Sequence, residues 1–281
     1  MKKKHSLLLG VLFISFITQA QTSDSASAKE KVEFKIGVNY NSHLNYYGRT
    51  DSLKSSGLYP SAELSYKGLY VKSDFIFINN SLNSNQYTGT IVSAGYNFKD
   101  ASEKISGNIF ASKFIYQDKT VLVQSALKGQ AGGSISFLNK FLNINLGGDV
   151  KFSDQADIGA NAGADHLERY ELNGGKTVFV IDPSVYVYAG TQNFTTTYYK
   201  QKNILFLPAG EEAVTERSKK FNMLAYEISA PVALGTGKFV FSLTPSYIIP
   251  QNLITVPGHP EQSEKADNLF YVTAGVSYTF W

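Results

Sequence analysis

The 281-residue chain contains no cysteine, which excludes disulfide bonds, thiolate metal sites, a thiol nucleophile and a lipid-modified N-terminal cysteine. It also lacks a strong excess of charge of either sign, because 26 basic and 23 acidic residues leave a net charge of only +3. No basic run with interleaved aromatic residues occurs. The sequence therefore predicts no nucleic-acid partner.

Long hydrophobic runs are absent after the first twenty residues. Apolar residues make up 43% of the chain, yet the mean hydropathy is −0.14, so they are dispersed along it. No stretch in this part approaches the roughly 20 apolar residues that a transmembrane helix needs. The mature protein is therefore expected to be periplasmic, secreted or a membrane β-barrel.

The N-terminus has the three parts of a Sec-type signal peptide. Three lysines at positions 2–4 precede an apolar run over 7–17, and small residues follow before a predicted cleavage site ahead of Gln21. A membrane-anchoring helix is the alternative, but this run is short for about 30 Å of hydrocarbon. We predict a signal peptide over 1–20 and a flexible polar lead-in over 21–30.

From Val32 onward, apolar and polar residues alternate with period two, as they do in a strand with one apolar face. Aromatic residues, 14% of the chain, fall near both ends of these segments, as the two interfacial belts of a membrane barrel would. A soluble β-sandwich would explain the alternation but not the two belts. Twelve strands are predicted, around residues 32–40, 62–66, 69–77, 92–98, 105–116, 121–137, 142–152, 179–187, 194–198, 224–232, 239–249 and 270–280.

The predicted connections alternate between brief and long. Long loops on one side and tight turns on the other are typical of outer-membrane barrels. We therefore predict an all-β fold over 31–281: an antiparallel transmembrane barrel of twelve strands with short periplasmic turns, long extracellular loops and both termini in the periplasm. Brief connections are predicted at 67–68, 98–104, 139–140, 190–191 and 235–237, and long polar ones at 47–57, 79–86, 153–175, 200–218 and 250–267, with 117–119 as a short exception.

Two features do not fit this pattern simply. Residues 105–116 carry apolar side chains on both faces, and a bulge is predicted there. Pro183, Pro231 and Pro245 lie within predicted strands, where each removes a ladder hydrogen bond in a medium without water. Bulges or the barrel rims are the places that would accommodate them.

The predicted inward faces carry ten charged residues, which are candidates for lining the lumen. They either border an aqueous path or neutralise one another as structural ion pairs. Twelve strands lie between the filled interior of eight-stranded barrels and the open channel of those with sixteen or more, which favours a narrow lumen. The ten residues are Glu33, Lys35, Glu63, Lys72, Asp74, Lys128, Asp149, Lys151, Asp182 and Glu227.

Catalytic and metal-binding signals are weak. His166 lies beside Asp165 and Glu168 in the predicted 153–175 loop, and a histidine paired with a carboxylate is a common general base. The same acidic loop offers oxygen ligands for calcium, but without EF-hand spacing, so a solvated loop is the preferred interpretation. Lipase-type Gly-x-Ser-x-Gly and His-Glu-x-x-His motifs are absent. We predict no catalytic residue, no metal site and no cofactor.

The last strand, Phe270-x-Val272-x-Ala274-x-Val276-x-Tyr278-x-Phe280, resembles the C-terminal strand of Gram-negative outer-membrane barrels. That resemblance implies that Tyr278 and Phe280 form the signal read by the barrel-assembly machinery, here displaced by one residue because Trp281 follows. The mature region as a whole is similar to uncharacterised, porin-like barrels of the twelve-strand type. The resemblance implies an outer-membrane location with membrane lipids as partners, and it implies no activity.

Three functions are compatible with these features. The preferred prediction is a non-enzymatic, narrow passive channel for small polar solutes. The first alternative is an outer-membrane hydrolase or lipid-modifying enzyme acting at the extracellular rim. The second is a surface scaffold or binding barrel with a closed lumen.

Overall fold

The computed structural model describes residues 31–50, 53–82, 84–117, 127–193, 219–253 and 266–281. The predicted signal peptide (1–20), the lead-in (21–30) and the strand predicted around 194–198 lie outside these residues. No helix in the described ranges is long and apolar enough to cross a membrane. The described strands are β1 (Glu33–Asn41), β2 (Asn45–Tyr46), β3 (Arg49–Thr50), β4 (Ser56–Tyr66), β5 (Leu69–Asn79), β6 (Gln86–Lys99), β7 (Ile105–Tyr116), β8 (Gly129–Phe137), β9 (Asn143–Phe152), β10 (Ala156–Asp165), β11 (Glu168–Leu172), β12 (Thr177–Ile181), β13 (Ser184–Gly190), β14 (Asn222–Ser229), β15 (Val232–Thr236), β16 (Phe239–Pro250) and β17 (Leu269–Thr279).

The sheet closes into a barrel because β17 pairs with both β16 and β1. Three barrel strands each consist of two segments, β10 with β11, β12 with β13, and β14 with β15, and all pairings are antiparallel. The predicted closed antiparallel barrel of twelve strands is therefore confirmed. Strands β2 and β3 stand apart from it as a separate hairpin.

The two ends of the barrel are distinguished by their connections. The connections 67–68, 100–104, 138–142, 173–176 and 237–238 all lie at the end where β1 begins and β17 finishes, here called the turn end. The opposite end, here called the loop end, is where β1, β5, β7, β9, β13 and β16 finish.

The eighth barrel strand lies where a loop was predicted. Residues 153–175 were expected to form a long acidic loop, but β10 and β11 occupy most of that range and only 153–155 connects β9 to β10. Small side chains explain the error, because Ala160, Ala162 and Ala164 face outward with too little hydrophobicity to mark a strand. As a result, residues 177–190 run from turn end to loop end, opposite to the prediction, and Gly190 lies at the loop end.

Two further predictions, for the strands expected over 105–116 and 121–137, are corrected. The pairing of β7 with β6 and with β8 is regular, so the bulge expected in 105–116 is absent there. Instead, Phe114 is buried in the interior while Ile109 and Ile115 are exposed on the outside. Strand β8 covers Gly129–Phe137, residues 127–128 are not part of a strand as predicted, and the predicted portion over 121–126 lies outside the described residues.

The three prolines that fitted the sequence pattern poorly lie side by side on three neighbouring barrel strands, two of them where a strand is interrupted. Pro183 separates β12 from β13, Pro231 separates β14 from β15, and Pro245 lies in the neighbouring β16. Their carbonyl groups accept hydrogen bonds from the adjacent strands, from the backbone N–H of His166 at 3.1 Å, Asp182 at 2.9 Å and Ala230 at 3.1 Å respectively. Because a proline lacks an N–H but keeps its carbonyl, hydrogen bonding to the neighbouring strand on one side continues past each proline.

The outer surface of the barrel is apolar along its whole circumference. Soluble monomers rarely expose contiguous apolar patches larger than a few hundred Å². A closed sheet with an apolar exterior also leaves no backbone polar group facing lipid, which is the requirement for a spanning β-structure. Exposed outward residues include Ile36, Val38, Val71, Val92, Ile109, Leu146, Ile158, Val185, Ile228, Leu243 and Val276.

Candidate functional site

A short hairpin from the first loop-end connection fills the interior beneath the loop end. Strands β2 and β3 are joined by Tyr47 and Gly48, both with positive φ, at 51° and 80°. Two consecutive positive φ angles are typical of a tight hairpin turn, and glycine adopts them without strain. Gly48 also lies against Pro250, which an added Cβ would approach to 3.0 Å. This hairpin therefore folds inward.

Arg49 fastens the hairpin to the barrel wall. Its side chain is wholly buried, and its guanidinium donates hydrogen bonds to the carbonyl oxygens of Tyr47 at 3.2 Å, Leu224 at 3.3 Å and Gln251 at 2.9 Å. Two of these carbonyls belong to distant parts of the chain, at β14 and just beyond β16. A planar guanidinium suits such a site because its donors diverge in fixed directions.

Aromatic and aliphatic side chains pack around the hairpin. Tyr46 and Tyr47 belong to one buried cluster with Tyr188 and Leu224, and the Tyr47 and Tyr188 ring centroids are 5.2 Å apart. A second buried cluster, formed by Leu44, Tyr59, Ile76 and Ile78, adjoins it. The loop-end half of the interior is therefore densely packed.

A buried ion pair lies beside the hairpin. Asp149 and Lys151 lie two residues apart on the inner face of β9, and their side chains are only 4% and 3% exposed. They form a close salt bridge, and Lys151 also lies within hydrogen-bonding reach of Tyr47. The charges of both predicted lumen residues are thus compensated locally.

The inner faces of β1, β4 and β5 carry a ladder of alternating charges. Lys35 pairs with Glu63 across the two strands at 3.1 Å, and Lys72 pairs with Asp74 at 2.9 Å. Glu63 is also the cross-strand partner of Lys72, so the signs alternate along the ladder. These four predicted lumen residues are half-buried and paired with one another.

A cavity of about 190 Å³, bordered by polar and apolar side chains, lies in the interior beneath the hairpin and extends toward the turn end. Its lining extends from Asn45 of the hairpin to Leu138 in the 138–142 connection, so it spans from beneath the hairpin to the turn end. Most of its polar side chains are uncharged amides and hydroxyls. Asp165, Asp182 and Glu227 are its carboxylates, and among its lining residues there is no lysine, arginine or histidine.

The three cavity carboxylates differ in their partners. Asp165 accepts hydrogen bonds from the side-chain amides of Asn143, at 2.6 Å, and Asn145. Glu227 accepts a hydrogen bond from the Tyr271 hydroxyl at 2.9 Å and lies within hydrogen-bonding reach of the hydroxyl groups of Tyr188 and Ser246. Asp182 lies within reach of Asp165, yet its Oδ1 is buried without a hydrogen-bond partner among the described residues.

Tyrosine rings form part of the cavity wall. Tyr186 and Tyr188 alternate on the inner face of β13 with centroids 6.1 Å apart and planes 17° from parallel. The ring of Tyr186 lies directly over Gly163 on β10, where any Cβ would collide with it. Glycine at position 163 therefore allows the ring to lie against the wall instead of projecting across the cavity.

The remaining predicted site residues lie elsewhere. Glu33 is exposed at the start of β1. The Lys128 side chain is 63% exposed at the loop end, where it pairs with Asp154 at 2.8 Å. Of the ten charged residues, only Asp182 and Glu227 line the cavity. The structure thus separates them into two rim residues, six paired residues and two cavity residues.

His166 lies at the break between β10 and β11 instead of in a loop. Its Nδ1 hydrogen-bonds with the carbonyl oxygen of Phe141 at 2.7 Å and its Nε2 with Glu168 at 2.9 Å. Asp165 points away from it into the cavity. Within the described ranges, histidine and carboxylate side chains form no group that could hold a metal ion.

The predicted assembly signal lies at the closing seam of the barrel. The Tyr278 ring is 4.8 Å from Phe239 and 4.9 Å from Phe280, measured between centroids, and Phe280 is 5.4 Å from Phe34 of the first barrel strand. The backbone N–H of Phe280 also donates to the Phe34 carbonyl at 2.8 Å. An aromatic patch thus joins the first and last barrel strands at the turn end.

Sequence reasoning missed the hairpin and most of the cavity. Tyr47, Arg49, Tyr186, Tyr188 and Tyr271 were not candidates. A signal for the hairpin exists in Tyr46-Tyr47-Gly48-Arg49, since adjacent aromatic residues and one arginine are unusual in a solvated loop. No comparable signal marks the cavity, because its residues come from many strands.

A closed barrel with an apolar exterior and a polar, charge-bearing interior defines this protein as a transmembrane β-barrel. No protein-family model and no curated protein sequence matches the chain. Among solved structures it is similar to an outer membrane channel from Pseudomonas putida F1, with 8% identity, TM-score 0.48 and coverage of 92% of this chain and 98% of that one.

Two further solved structures are similar to this chain. One is the β domain of the Bordetella autotransporter BrkA, at 8% identity and TM-score 0.40, with 88% of this chain and 98% of that chain covered. The other is LpxR from Salmonella typhimurium, at 9% identity and TM-score 0.40, with 88% and 100% covered. At these identities the likeness concerns the fold alone.

Proposed function

We propose that this protein is a narrow outer-membrane channel for small polar solutes. In this proposal the signal peptide over 1–20 directs export and is removed, and both termini of the mature chain lie in the periplasm. The turn end then faces the periplasm and the loop end faces the exterior. Outer-membrane lipids and the barrel-assembly machinery are its proposed partners, and we propose no catalytic activity.

The polar cavity is the observation that carries this proposal. An interior that served only to hold the barrel together would be filled by side chains, as in the smallest barrels. Here about 190 Å³ of space remains beneath the hairpin, and amides, hydroxyls and carboxyl groups border it together with apolar side chains. Such a surface retains water and is accessible to polar solutes.

The hairpin sets the width of the proposed path. Tyr46, Tyr47 and Arg49 are buried across the loop-end half of the interior, so a solute must pass beside or displace them. This arrangement supports a path that is narrow and of low conductance. It also favours the second candidate, a closed binding barrel, if the hairpin never moves.

Planar-bilayer conductance separates these two functions. The wild-type protein is compared with a variant in which residues 45–50 are replaced by alternating glycine and serine. We expect small discrete openings from the wild type and openings at least severalfold larger from the variant, because the replacement removes the buried rings and Arg49. A variant with residues 173–176 replaced in the same manner is the control and should conduct like the wild type.

Silence of both the wild type and the hairpin variant would overturn the channel. Circular dichroism of each preparation establishes that the barrel is intact before conductance is compared. An intact, silent hairpin variant would favour the closed binding barrel.

A further inference from the structure

Among the residues that line the cavity, no basic side chain balances the carboxyl groups, and the neighbouring His166 lies outside this lining and pairs with Glu168 at 2.9 Å. The ladder pairs Lys35 with Glu63 and Lys72 with Asp74, whereas the cavity lining holds three carboxylates and no basic residue. A charged group removed from bulk water needs an opposite charge or several hydrogen bonds to offset lost hydration. The lining of the cavity therefore has more acidic than basic groups.

Asp165 and Asp182 make the imbalance local. They lie on neighbouring barrel strands, close enough for their carboxyl groups to interact, and two amides already donate to Asp165. The buried Oδ1 of Asp182 receives no donor from the described residues, and a buried acceptor without a partner is costly. A positively charged hydrogen-bond donor in the cavity would both offset the carboxyl groups and donate to the Asp182 Oδ1.

The aromatic wall indicates which kind of cation fits. Tyr186 and Tyr188 have stacked rings beside the carboxylates. Tyr271 also lines the cavity, and its hydroxyl donates a hydrogen bond to Glu227. The faces of aromatic rings attract cations, and rings combined with carboxylates recognise ammonium groups with attached carbon. A hard metal ion would instead prefer to be surrounded by oxygen ligands, and it has no carbon atoms to pack against the rings.

We propose that the cavity binds a small organic cation, an ammonium compound carrying a short alkyl or hydroxyalkyl chain. The ammonium group would lie between Asp165, Asp182 and Glu227, and its carbon atoms would lie against Tyr186 and Tyr188. The volume of about 190 Å³ suits such a ligand, because it is smaller than the ~300 to 1,000 Å³ typical of drug-sized pockets. This inference rests on the proposed function for the ligand's route and deepens it by naming the solute class.

Isothermal titration calorimetry on the folded barrel in detergent tests the site independently of conduction. The probe is n-butylammonium chloride, with sodium butyrate and 1-butanol as the anionic and neutral probes of the same chain length, at constant ionic strength. We expect saturable binding of n-butylammonium only. Glu227→Gln should weaken it at least tenfold, and Asp182→Asn should do the same.

Asp74→Asn is the matched control, because it removes an interior carboxylate that lies outside the cavity, and it should bind like the wild type. Tyr186→Leu provides a second readout if a carboxylate variant fails to fold, and it should weaken n-butylammonium binding severalfold without affecting the other two probes. Equal binding of all three probes, or binding unchanged in both carboxylate variants, would overturn the proposal.

The two proposals fail separately. If the barrel conducts but binds n-butylammonium and butyrate equally, the proposed ligand is wrong and the proposed channel stands. If the barrel does not conduct but binds n-butylammonium through Glu227, the proposed channel is wrong and the protein is a binding protein for organic cations.

Discussion

The loop-end half of the barrel interior is packed with side chains, whereas the turn-end half encloses a polar cavity. At the loop end, Arg49, Asp149 and Lys151 are almost wholly buried; Arg49 donates hydrogen bonds to backbone carbonyl oxygens, and Asp149 and Lys151 neutralise each other. At the turn end, Asp182 and Glu227 border open space and no basic residue shares their cavity. The same barrel thus uses interior charge for cohesion at one end and leaves it available to a solute at the other.

The difference follows from what each half has to enclose. The barrel wall alone leaves a lumen wider than side chains can fill, and the hairpin supplies the missing volume only beneath the loop end. Where that volume is supplied, water is excluded and charges must be paired. Where it is not, hydroxyl and amide side chains line the wall.

The largest expected effect comes from breaking the buried ion pair. Lys151→Met leaves Asp149 buried without its cation, and such a change costs about 3–5 kcal/mol. The free energy of unfolding, measured by urea titration in lipid vesicles, should fall by that amount. Lys35→Met is the matched control, because its side chain and that of Glu63 are 21% and 17% exposed and Lys72 remains beside Glu63.

We expect the Lys35→Met variant to lose about 1 kcal/mol or less, since partly hydrated pairs contribute little. Similar losses from both lysine variants would contradict the distinction between a sealed and a hydrated half of the interior.

A smaller effect is expected from releasing the hairpin. Arg49→Ala removes three hydrogen bonds, and although the Leu224 carbonyl keeps the backbone N–H of Gln251 at 2.8 Å, any carbonyl left buried without a donor costs about 1–3 kcal/mol. The hairpin can move away from the wall to rehydrate them, so the barrel should remain folded while the hairpin opens. Trypsin should then cut after Lys54, which follows the hairpin, at least tenfold faster than in the wild type.

Two controls sharpen this measurement. Cleavage after Lys176, which is exposed in the 173–176 connection, should proceed at the same rate in both proteins. Arg49→Lys keeps the charge but not the divergent donors, and should fall between the two. Unchanged cleavage after Lys54 in Arg49→Ala would show that packing of Tyr46 and Tyr47 alone retains the hairpin.

The barrel could be predicted because its determinants are local. Alternation along each strand, as in Val32 to Tyr40, reports which face meets lipid without reference to any other strand. The same rule failed for Ala156–Asp165, where outward alanines are too small to differ in hydropathy from a loop. The strand count was confirmed although this strand was missed, because a strand was predicted at 194–198, outside the described residues.

The interior could be predicted only in part, because its determinants are not local. Alternation identifies Asp182 and Glu227 as inward-facing, but their common cavity depends on which strands are neighbours and on their register. Whether a loop folds inward depends equally on distant partners, as the contacts of Arg49 with Leu224 and Gln251 show. The role of the three prolines likewise emerges only when their strands lie side by side.

The smallest effect is expected outside the barrel, at the turn of residues 100–104. The Asp100 carboxylate accepts hydrogen bonds from the Ser102 hydroxyl and, at 2.8 Å, from the backbone N–H of Ile105, and these bonds lower its pKa below the usual aspartate value. A lowered folded-state pKa adds stability above the unfolded pKa of about 3.9, and that stability is lost as the pH falls through the folded value. Asp100→Asn should therefore unfold slightly more easily than the wild type at pH 7 and no differently at about pH 2, by thermal circular dichroism. Glu103→Gln removes a neighbouring charge and its exposed ion pair with Lys99 at 3.3 Å but keeps these bonds, and because exposed ion pairs contribute little it should unfold nearly like the wild type at neutral pH. If Asp100→Asn and Glu103→Gln were equivalent at pH 7, surface charge rather than the bonded carboxylate would govern this turn.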